Sequence, residues 1–147
     1  MKILGVDYGT KRIGLALGDT ESSLVLPLRS VEVAGGSDAV GVVAAVAEEE
    51  GVGEIVIGLP RPLGGSRDRS SMERQVLGFV DLLREASPIP VQVEDERLTS
   101  ALAESLRREA GAGRQEIDKD AVAATVLLES YLQRRQSDVG GQEEGGP

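Results

Sequence analysis

Residues 3–18 read ILGVDYGTKRIGLALG, two apolar runs separated by a polar turn. A short glycine-bearing turn between two such runs is typical of a β-hairpin, so we predict two paired strands here. The first run ends on an acid, Asp7, and the turn that follows carries the cations Lys11 and Arg12. Charged side chains of both signs are therefore expected at the end of the first strand.

Beyond the hairpin, short apolar strands alternate with amphipathic segments. Strands are predicted over residues 24–33, where Pro27 favours the edge of a sheet or the start of the strand, and over residues 54–59 and 91–93. Helices are predicted over residues 37–50, 72–83, 98–106 and 118–135. The first of them should begin at Ser37 as N-cap and stop at Gly51. A hairpin followed by alternating elements predicts an α/β fold with a mixed five-stranded sheet flanked by helices.

The chain has 147 residues, enough for one domain, which we place at residues 1–136. Residues 137–147 are rich in glycine and glutamate and are predicted to form a disordered tail. The sequence contains no long apolar run and does not open with a signal peptide. We therefore expect a cytoplasmic protein with no membrane contact.

The composition excludes several kinds of chemistry. There is no Cys and no His, which removes disulfides, thiolate sites and imidazole bases. Two Tyr, one Phe and no Trp argue against a base-stacking platform built on several aromatic rings. A net charge of −9 disfavours nonspecific binding of polyanions but leaves room for a small basic patch. Any catalysis must depend on carboxylates, hydroxyls, Lys, Arg or a bound hard cation.

Acids from three segments lie where chemistry could occur. Asp7 and the adjacent Asp95 and Glu96 follow predicted strands, whose carboxyl ends form the usual ligand-binding edge of an α/β sheet. Neighbours on a strand point to opposite faces, so at most one acid of the adjacent pair should face Asp7. Asp120 heads an apolar helix face, where a surface acid would be out of place. Plainer explanations are a turn-forming Asp7, an exposed charged turn after the fifth strand, and an Asp120 that complements the helix dipole, although Asp118 could fill that last role.

Carboxylates from three distant segments indicate a site for a hard cation. Oxygen ligands suit Mg²⁺ or Mn²⁺, and a chain without His or Cys makes these ions the natural candidates. Two such ions about 3.5–4 Å apart can activate a water and stabilise the leaving oxygen in phosphodiester hydrolysis. This chemistry needs no imidazole base, which fits the composition.

Basic residues that could bind phosphate lie beside the acids and in a loop after the fourth predicted strand. Guanidinium groups and exposed glycine N–H groups suit phosphate oxygens. Seven residues are candidates for contacting a substrate: Lys11, Arg12, Arg61, Gly65, Arg67, Arg69 and Arg97. The plainer alternative is that the loop carries ordinary solubilising charge.

Four segments resemble motifs of the YqgF/RuvX family. They are GVDYGTKRIGLA at residues 5–16, IGLP at residues 57–60 followed by Gly65 and Ser66, DERLTS at residues 95–100, and DAVAA at residues 120–124. The resemblance covers about residues 3 to 132 with all motifs in order. The string DERLT is specific in this context, whereas the opening motif also begins sugar kinases and actin-like ATPases.

The resemblance implies a ribonuclease H-like fold and a metal-dependent nuclease. Family members are described as processing the 5′ end of precursor 16S ribosomal RNA, and others as resolvases of Holliday junctions. By motif position, Asp7, Glu96 and Asp120 are the metal-binding and catalytic acids, and Asp95 is the weaker candidate of its pair. The implied partners are precursor ribosomal RNA or branched DNA, together with ribosomal particles, for a monomer or a homodimer.

Three alternatives stay open at this point. A resolvase cuts two strands symmetrically and needs a two-fold dimer. A noncatalytic RNA-binding assembly factor would still support ribosomal RNA maturation after Asp7→Asn. An ATP-binding phosphotransferase of the actin or sugar-kinase type shares the opening motif, but such enzymes close two domains around the nucleotide, and 147 residues hold one.

Overall fold

A computed structural model describes residues 1–60, 71–95 and 118–144, with side chains up to residue 136. Five strands and three helices lie in these ranges. They are β1 (Lys2–Asp7), β2 (Arg12–Asp19), β3 (Val25–Glu32), α1 (Gly36–Glu50), β4 (Glu54–Leu59), α2 (Ser71–Ala86), β5 (Val91–Asp95) and α3 (Lys119–Glu144). The helix predicted over residues 98–106 lies outside the described residues.

The strands form one mixed sheet in the order β3-β2-β1-β4-β5. β2 is antiparallel to both β1 and β3, whereas β4 is parallel to both β1 and β5. The predicted hairpin and the α/β fold with a mixed five-stranded sheet flanked by helices are thus confirmed. Pro27 lies on the edge strand β3, opposite Ala16 and beside a register shift, where a missing N–H is tolerated.

Helices cover both faces of the sheet. On one face, α1 and α2 pack on apolar side chains of β1, β2 and β4 to form the larger core, which includes Phe79. On the other face, α3 packs on Ile3, Ala16 and Val56. Because side chains alternate along a strand, each strand residue belongs to one of these two faces.

Polar contacts fasten α3 to the sheet in addition to apolar packing. The Tyr131 hydroxyl donates a hydrogen bond to the buried Glu54 carboxylate, and Arg135 lies 3.7 Å from the same carboxylate. Arg134 forms an ion pair with Glu94, whose side chain is 4% exposed. Losing one partner of a buried pair leaves an uncompensated charge, so these contacts fix the path of α3 across the sheet.

Removal of the Tyr131 hydroxyl should change the stability of the fold at alkaline pH. Burial, followed by the hydrogen bond and charge of Glu54, raises the pKa of Tyr131. The neutral Tyr131 phenol therefore stabilises the folded protein. Its contribution to the free energy of unfolding is fully present below the unfolded pKa of about 10 and is lost as pH rises from there through the folded pKa. We expect the free energy of unfolding to fall more steeply above about pH 10 in wild type than in Tyr131→Phe.

Urea unfolding at a series of pH values measures this difference. Tyr8→Phe keeps the ring that contacts Phe79 and serves as the control. The control should follow the wild-type slope. Equal slopes in wild type and Tyr131→Phe would contradict the expectation.

The first helix begins differently from the prediction. Gly35 is the N-cap of α1, so the prediction of Ser37 is wrong. The reason is that Gly35 takes a φ of 124°, which favours glycine, while the Asp38 carboxylate accepts a hydrogen bond from the Ala34 N–H at 2.8 Å. Gly51 ends the helix in the left-handed conformation, as predicted.

α3 is the longest helix described, and it ends later than predicted. It continues beyond Arg135 to Glu144, into the segment predicted to be a disordered tail. Extending an existing helix by one residue adds a hydrogen bond and does not require a new helical nucleus. The composition of residues 137–147 alone does not show that a helix precedes them and can be extended. Among the helices at residues 36–50, 71–86 and 119–144, none combines the length and apolar character needed to cross a membrane.

Candidate active site

The carboxyl ends of β1, β4 and β5 meet at one edge of the sheet. The register aligns Val6 with Ile57 and Ile57 with Val93, so Asp7 and Asp95 both lie at strand ends on this edge. Open α/β sheets bind their ligands at this edge. Two of the predicted acids are therefore in the expected place, and the faces they occupy decide whether they can act together.

Asp7 lies on the face of the sheet that α3 covers. It follows Ile3 and Gly5 in the alternation of β1, and both of these residues contact α3. The contact at Gly5 is with Leu128. The half-buried side chain of Asp7 therefore projects into the layer between the sheet and α3.

Gly14 allows Asp120 to approach Asp7. It pairs with Asp7 across the hairpin, and a Cβ added at Gly14 would lie 2.7 Å from the Asp120 Cβ and closer still to the Asp120 carbonyl group. Directly opposed residues of antiparallel strands have Cβ atoms about 4.5–5.5 Å apart. The Cβ atoms of Asp7 and Asp120 are therefore within about 8 Å of each other. The structure brings these two predicted acids together.

Gly14→Ala should push the first turn of α3 away from the sheet. The added methyl group would overlap the backbone of Asp120, which cannot move without moving the helix. We expect a loss of about 3 kcal/mol in the free energy of unfolding, at the upper end of overpacking costs. This corresponds to a fall of roughly 6–12 °C in melting temperature for a chain of this size.

Gly18→Ala is the matched control for Gly14→Ala, since both glycines lie in β2 on the same face. A Cβ at Gly18 would lie 3.2 Å from Ile3, 3.4 Å from Leu128 and 3.5 Å from Val25, and all three contacts are with side chains and not with backbone. Its cost should be within about 1 kcal/mol. Thermal melting of both variants in EDTA makes the comparison, and equal losses would show that Gly14 has no special role.

Asp118 fixes the first turn of α3. One carboxylate oxygen accepts a hydrogen bond from the Ala121 N–H at 3.1 Å, which caps the helix, and the other accepts one from the Ser30 N–H on β3 at 2.8 Å. Partial burial raises the pKa of Asp118, but the accepted hydrogen bonds outweigh it and hold that pKa below the ordinary value. Asp118 is therefore the acid at the start of α3, as the sequence allowed, and Asp120 is not needed for that role.

Two exposed cations lie beside the acids. Lys11 is in the hairpin turn and Arg12 begins β2, where its Nε lies 3.9 Å from the Oδ2 of Asp120. The side chains of Arg12 and Asp120 are 61% and 38% exposed, so this ion pair is a weak surface contact. The ion pair therefore contributes little to holding either side chain in place.

Asp95 lies on the opposite face of the sheet from Asp7. It pairs with Leu59, and both continue the alternation of Ile57 on the side that α1 and α2 cover. The preceding residue, Glu94, is the one that reaches α3. The structure therefore does not bring Asp95 to the face of Asp7.

The other predicted site residues lie outside the described residues. They are Glu96 among the acids, and Arg61, Gly65, Arg67, Arg69 and Arg97 among the candidates for binding phosphate. Within residues 1–60, 71–95 and 118–136, no three acidic side chains are grouped so that they could hold a metal ion. This range contains two members of the predicted set of three acids.

Two residues on which this geometry depends are not singled out by the acidic pattern of the sequence. Gly14 interrupts an apolar strand, which often marks the close approach of another backbone, and this signal could have identified it. Ser30 carries no such signal, because its partner Asp118 is 88 positions away in the chain. Only the path of α3 across the sheet reveals their contact.

The fold is shared with known resolvases. Thermus thermophilus RuvC, solved in complex with a Holliday junction substrate, matches with a TM-score of 0.58 and 16% identity over 92% of this chain and 96% of that one. The fowlpox virus Holliday junction resolvase matches with a TM-score of 0.55 and 14% identity over 91% and 99% of the two chains. The protein therefore has the ribonuclease H-like fold.

Relatives share most of the length of this chain. One from Chloroflexus aurantiacus is 34% identical over 144 residues, 97% of this chain and 93% of that one, and one from Maridesulfovibrio salexigens is 37% identical over 136 residues, 91% and 99%. Both carry the provisional name pre-16S rRNA nuclease. The family model RuvX, described as Holliday junction resolvase, matches residues 1–134. The chain belongs to the RuvX family, as its motifs predicted, and is a nuclease, an enzyme that hydrolyses phosphodiester bonds.

Proposed function

We propose that this protein is a metal-dependent nuclease of the cytoplasm that processes the 5′ end of precursor 16S ribosomal RNA. The proposal depends above all on the approach of Asp7 and Asp120 around Gly14, at the ligand-binding edge of the sheet. Side chains that start this close can offer their carboxylate oxygens to the same cation, which would compensate their negative charge. The substrate is supported by the names of relatives that are 34% and 37% identical to this chain.

Asp7, Glu96 and Asp120 are the proposed ligands of Mg²⁺ or Mn²⁺, in a site for two ions. The donor set fits these metals, since Asp7 and Asp120 offer carboxylate oxygens and the chain has no His or Cys. Such ions, when bound, activate a water and stabilise the leaving oxygen of a phosphodiester. The protein holds Asp7 on the hairpin and Asp120 on the first turn of α3, so two ligands come from rigid elements.

Lys11 and Arg12 are proposed to bind the phosphate backbone beside the acids. If Asp120 held a metal ion, the exposed guanidinium of Arg12 would be available for phosphate oxygens, which it matches in a bidentate geometry. A local positive patch of this kind is needed because the whole chain carries a net charge of −9. Further substrate contacts are proposed for the residues outside the described ranges: Arg61, Gly65, Arg67, Arg69 and Arg97.

A Holliday junction resolvase is the second candidate. The description of the family model that matches residues 1–134 favours it. A resolvase cuts two strands at symmetric positions and needs a two-fold dimer, whereas trimming one end of an RNA needs one active site. The two functions therefore differ in the state of the protein on its substrate as well as in the nucleic acid.

Incubation of the purified protein with precursor 16S RNA and with a four-way DNA junction tests both functions. Each substrate is supplied with Mg²⁺, Mn²⁺ or EDTA, and the mass of the protein bound to it is measured. We expect metal-dependent cleavage of the RNA near its 5′ end. Symmetric cutting of the junction by a dimer would favour the resolvase. A separate comparison replaces the protein by Asp7→Asn, and maturation of ribosomal RNA that persists with this variant would indicate a noncatalytic factor on ribosomal particles.

A further inference from the structure

We propose that Asp118 is a positioning residue for Asp120, a role that rests on the proposed function of Asp120 as a metal ligand. Asp118 lies two residues before Asp120 and outside the set of acids assigned to the metal. Its carboxylate joins the start of α3 to the edge strand β3. The contact fixes where the first turn of the helix, and with it Asp120, lies relative to Asp7.

The two oxygens of Asp118 serve two different elements. Oδ1 accepts the hydrogen bond from the Ala121 N–H at 3.1 Å, within α3. Oδ2 accepts the hydrogen bond from the Ser30 N–H at 2.8 Å, on a strand that is 88 positions away in the chain. A capping residue needs only the first of these bonds. The second is a tether between the helix and the sheet.

The tether acts together with the contact at Gly14. The Asp120 backbone lies directly against Gly14 of β2, so the sheet limits how near the helix can come. The hydrogen bond from Ser30 limits how far the same turn can move away, because Ser30 pairs with Gly14 in the sheet. Asp120 is therefore located from both directions, whereas the ion pair that its own side chain makes with Arg12, among the described residues, is a weak surface contact.

Capping and tethering can be separated by substitution. Asp118→Ser keeps a side chain that caps helices well, but it has one oxygen and a shorter reach, so it cannot also accept the bond from Ser30. Asp118→Asn keeps the length and the cap but has one acceptor oxygen in place of two. A residue that acts only as a cap would tolerate both changes.

Asp19→Ser is the matched control. Asp19 also accepts hydrogen bonds from two backbone N–H groups, those of Glu21 at 2.7 Å and Ser22 at 3.3 Å. It lies at the end of β2, opposite Lys2, at the edge of the sheet away from Asp7. The control therefore removes the same kind of carboxylate at a distance from the proposed metal ligands.

The experiment measures the Mn²⁺ dissociation constant by calorimetry and the melting temperature in EDTA for wild type and these three variants. We expect Asp118→Ser and Asp118→Asn to weaken Mn²⁺ binding by roughly tenfold or more, in the range typical of outer partners of metal ligands. Their melting temperatures should stay close to that of Asp19→Ser, and Asp19→Ser should bind Mn²⁺ like wild type.

Two results would overturn the inference. One is an unchanged Mn²⁺ affinity in both Asp118 variants, which would reduce Asp118 to a cap. The other is an equal loss of Mn²⁺ affinity in Asp19→Ser, which would reduce the effect to general destabilisation. A wild-type protein that binds no Mn²⁺ would instead refute the proposed metal site, and the role of Asp118 with it, so the two failures are distinguishable.

Discussion

Asp7→Asn should abolish cleavage while leaving nucleic-acid binding intact or improved. Cleavage should fall by more than about a hundredfold, because even an outer partner of a metal ligand is worth about 10- to 100-fold. Binding should not fall, because the substitution removes a negative charge near the phosphate backbone. The expectation follows from the position of Asp7 at the end of β1, on the face that it shares with Asp120.

The measurement combines cleavage rates in Mg²⁺ or Mn²⁺ with binding titrations in Ca²⁺, which is used to suppress cutting. Asp19→Asn is the control, because Asp19 ends the other strand of the same hairpin at the opposite edge of the sheet. It should cleave like wild type. Cleavage by Asp7→Asn at the wild-type rate would exclude Asp7 from the active site, and an equal loss in the control would trace the effect to general damage to the hairpin.

The adjacent acids Asp95 and Glu96 should differ sharply when each is neutralised. Asp95 shares the α1 and α2 side of the sheet with its partner Leu59, away from Asp7. Because successive strand residues alternate between faces, this placement favours the next residue as the partner of Asp7. We expect Glu96→Gln to reduce cleavage by more than about a hundredfold, and Asp95→Asn to change stability while cleavage stays within about tenfold of wild type.

Each of these two variants serves as the control for the other. Both remove one carboxylate charge, and they differ by a single position in the chain. Cleavage rates show which acid the reaction requires, and melting temperatures show which acid the fold requires. The reverse pattern of activities would make Asp95 the ligand and exclude Glu96.

Features of the fold that depend on local sequence could be predicted. The apolar runs of residues 3–18 and their glycine-bearing turn are enough to define the hairpin, because the pairing partner lies only a few residues away. Pro27 indicated an edge strand or a strand start, since proline cannot donate to a ladder, and the structure places it on the edge strand β3. Asp7 could be selected as a candidate for the same reason, because the strand that ends on it is evident from its apolar residues.

Features that depend on contacts between distant segments could not be predicted in the same way. The approach of Asp120 to Gly14 and the bond from Ser30 to Asp118 follow from the path of α3 across the sheet. That path is fixed by Glu54 and other residues that carry no chemical signature in the sequence. Helix ends were also missed, as at Ser37, where the choice of cap depends on a backbone conformation that Gly35 adopts.

The order of the elements along the chain determines when the two acids can meet during synthesis. Asp7 lies in the first strand, whereas Asp120 lies in a helix that follows all five strands of the described sheet. The ribosome therefore synthesises all five of these strands before it makes the helix that covers Ile3 and Val56. Joining residues so far apart in the chain also costs loop-closure entropy, which slows folding. On the proposed mechanism, a growing polypeptide lacks the paired acids, so it cannot cut RNA while the segment that carries Asp120 is still being translated.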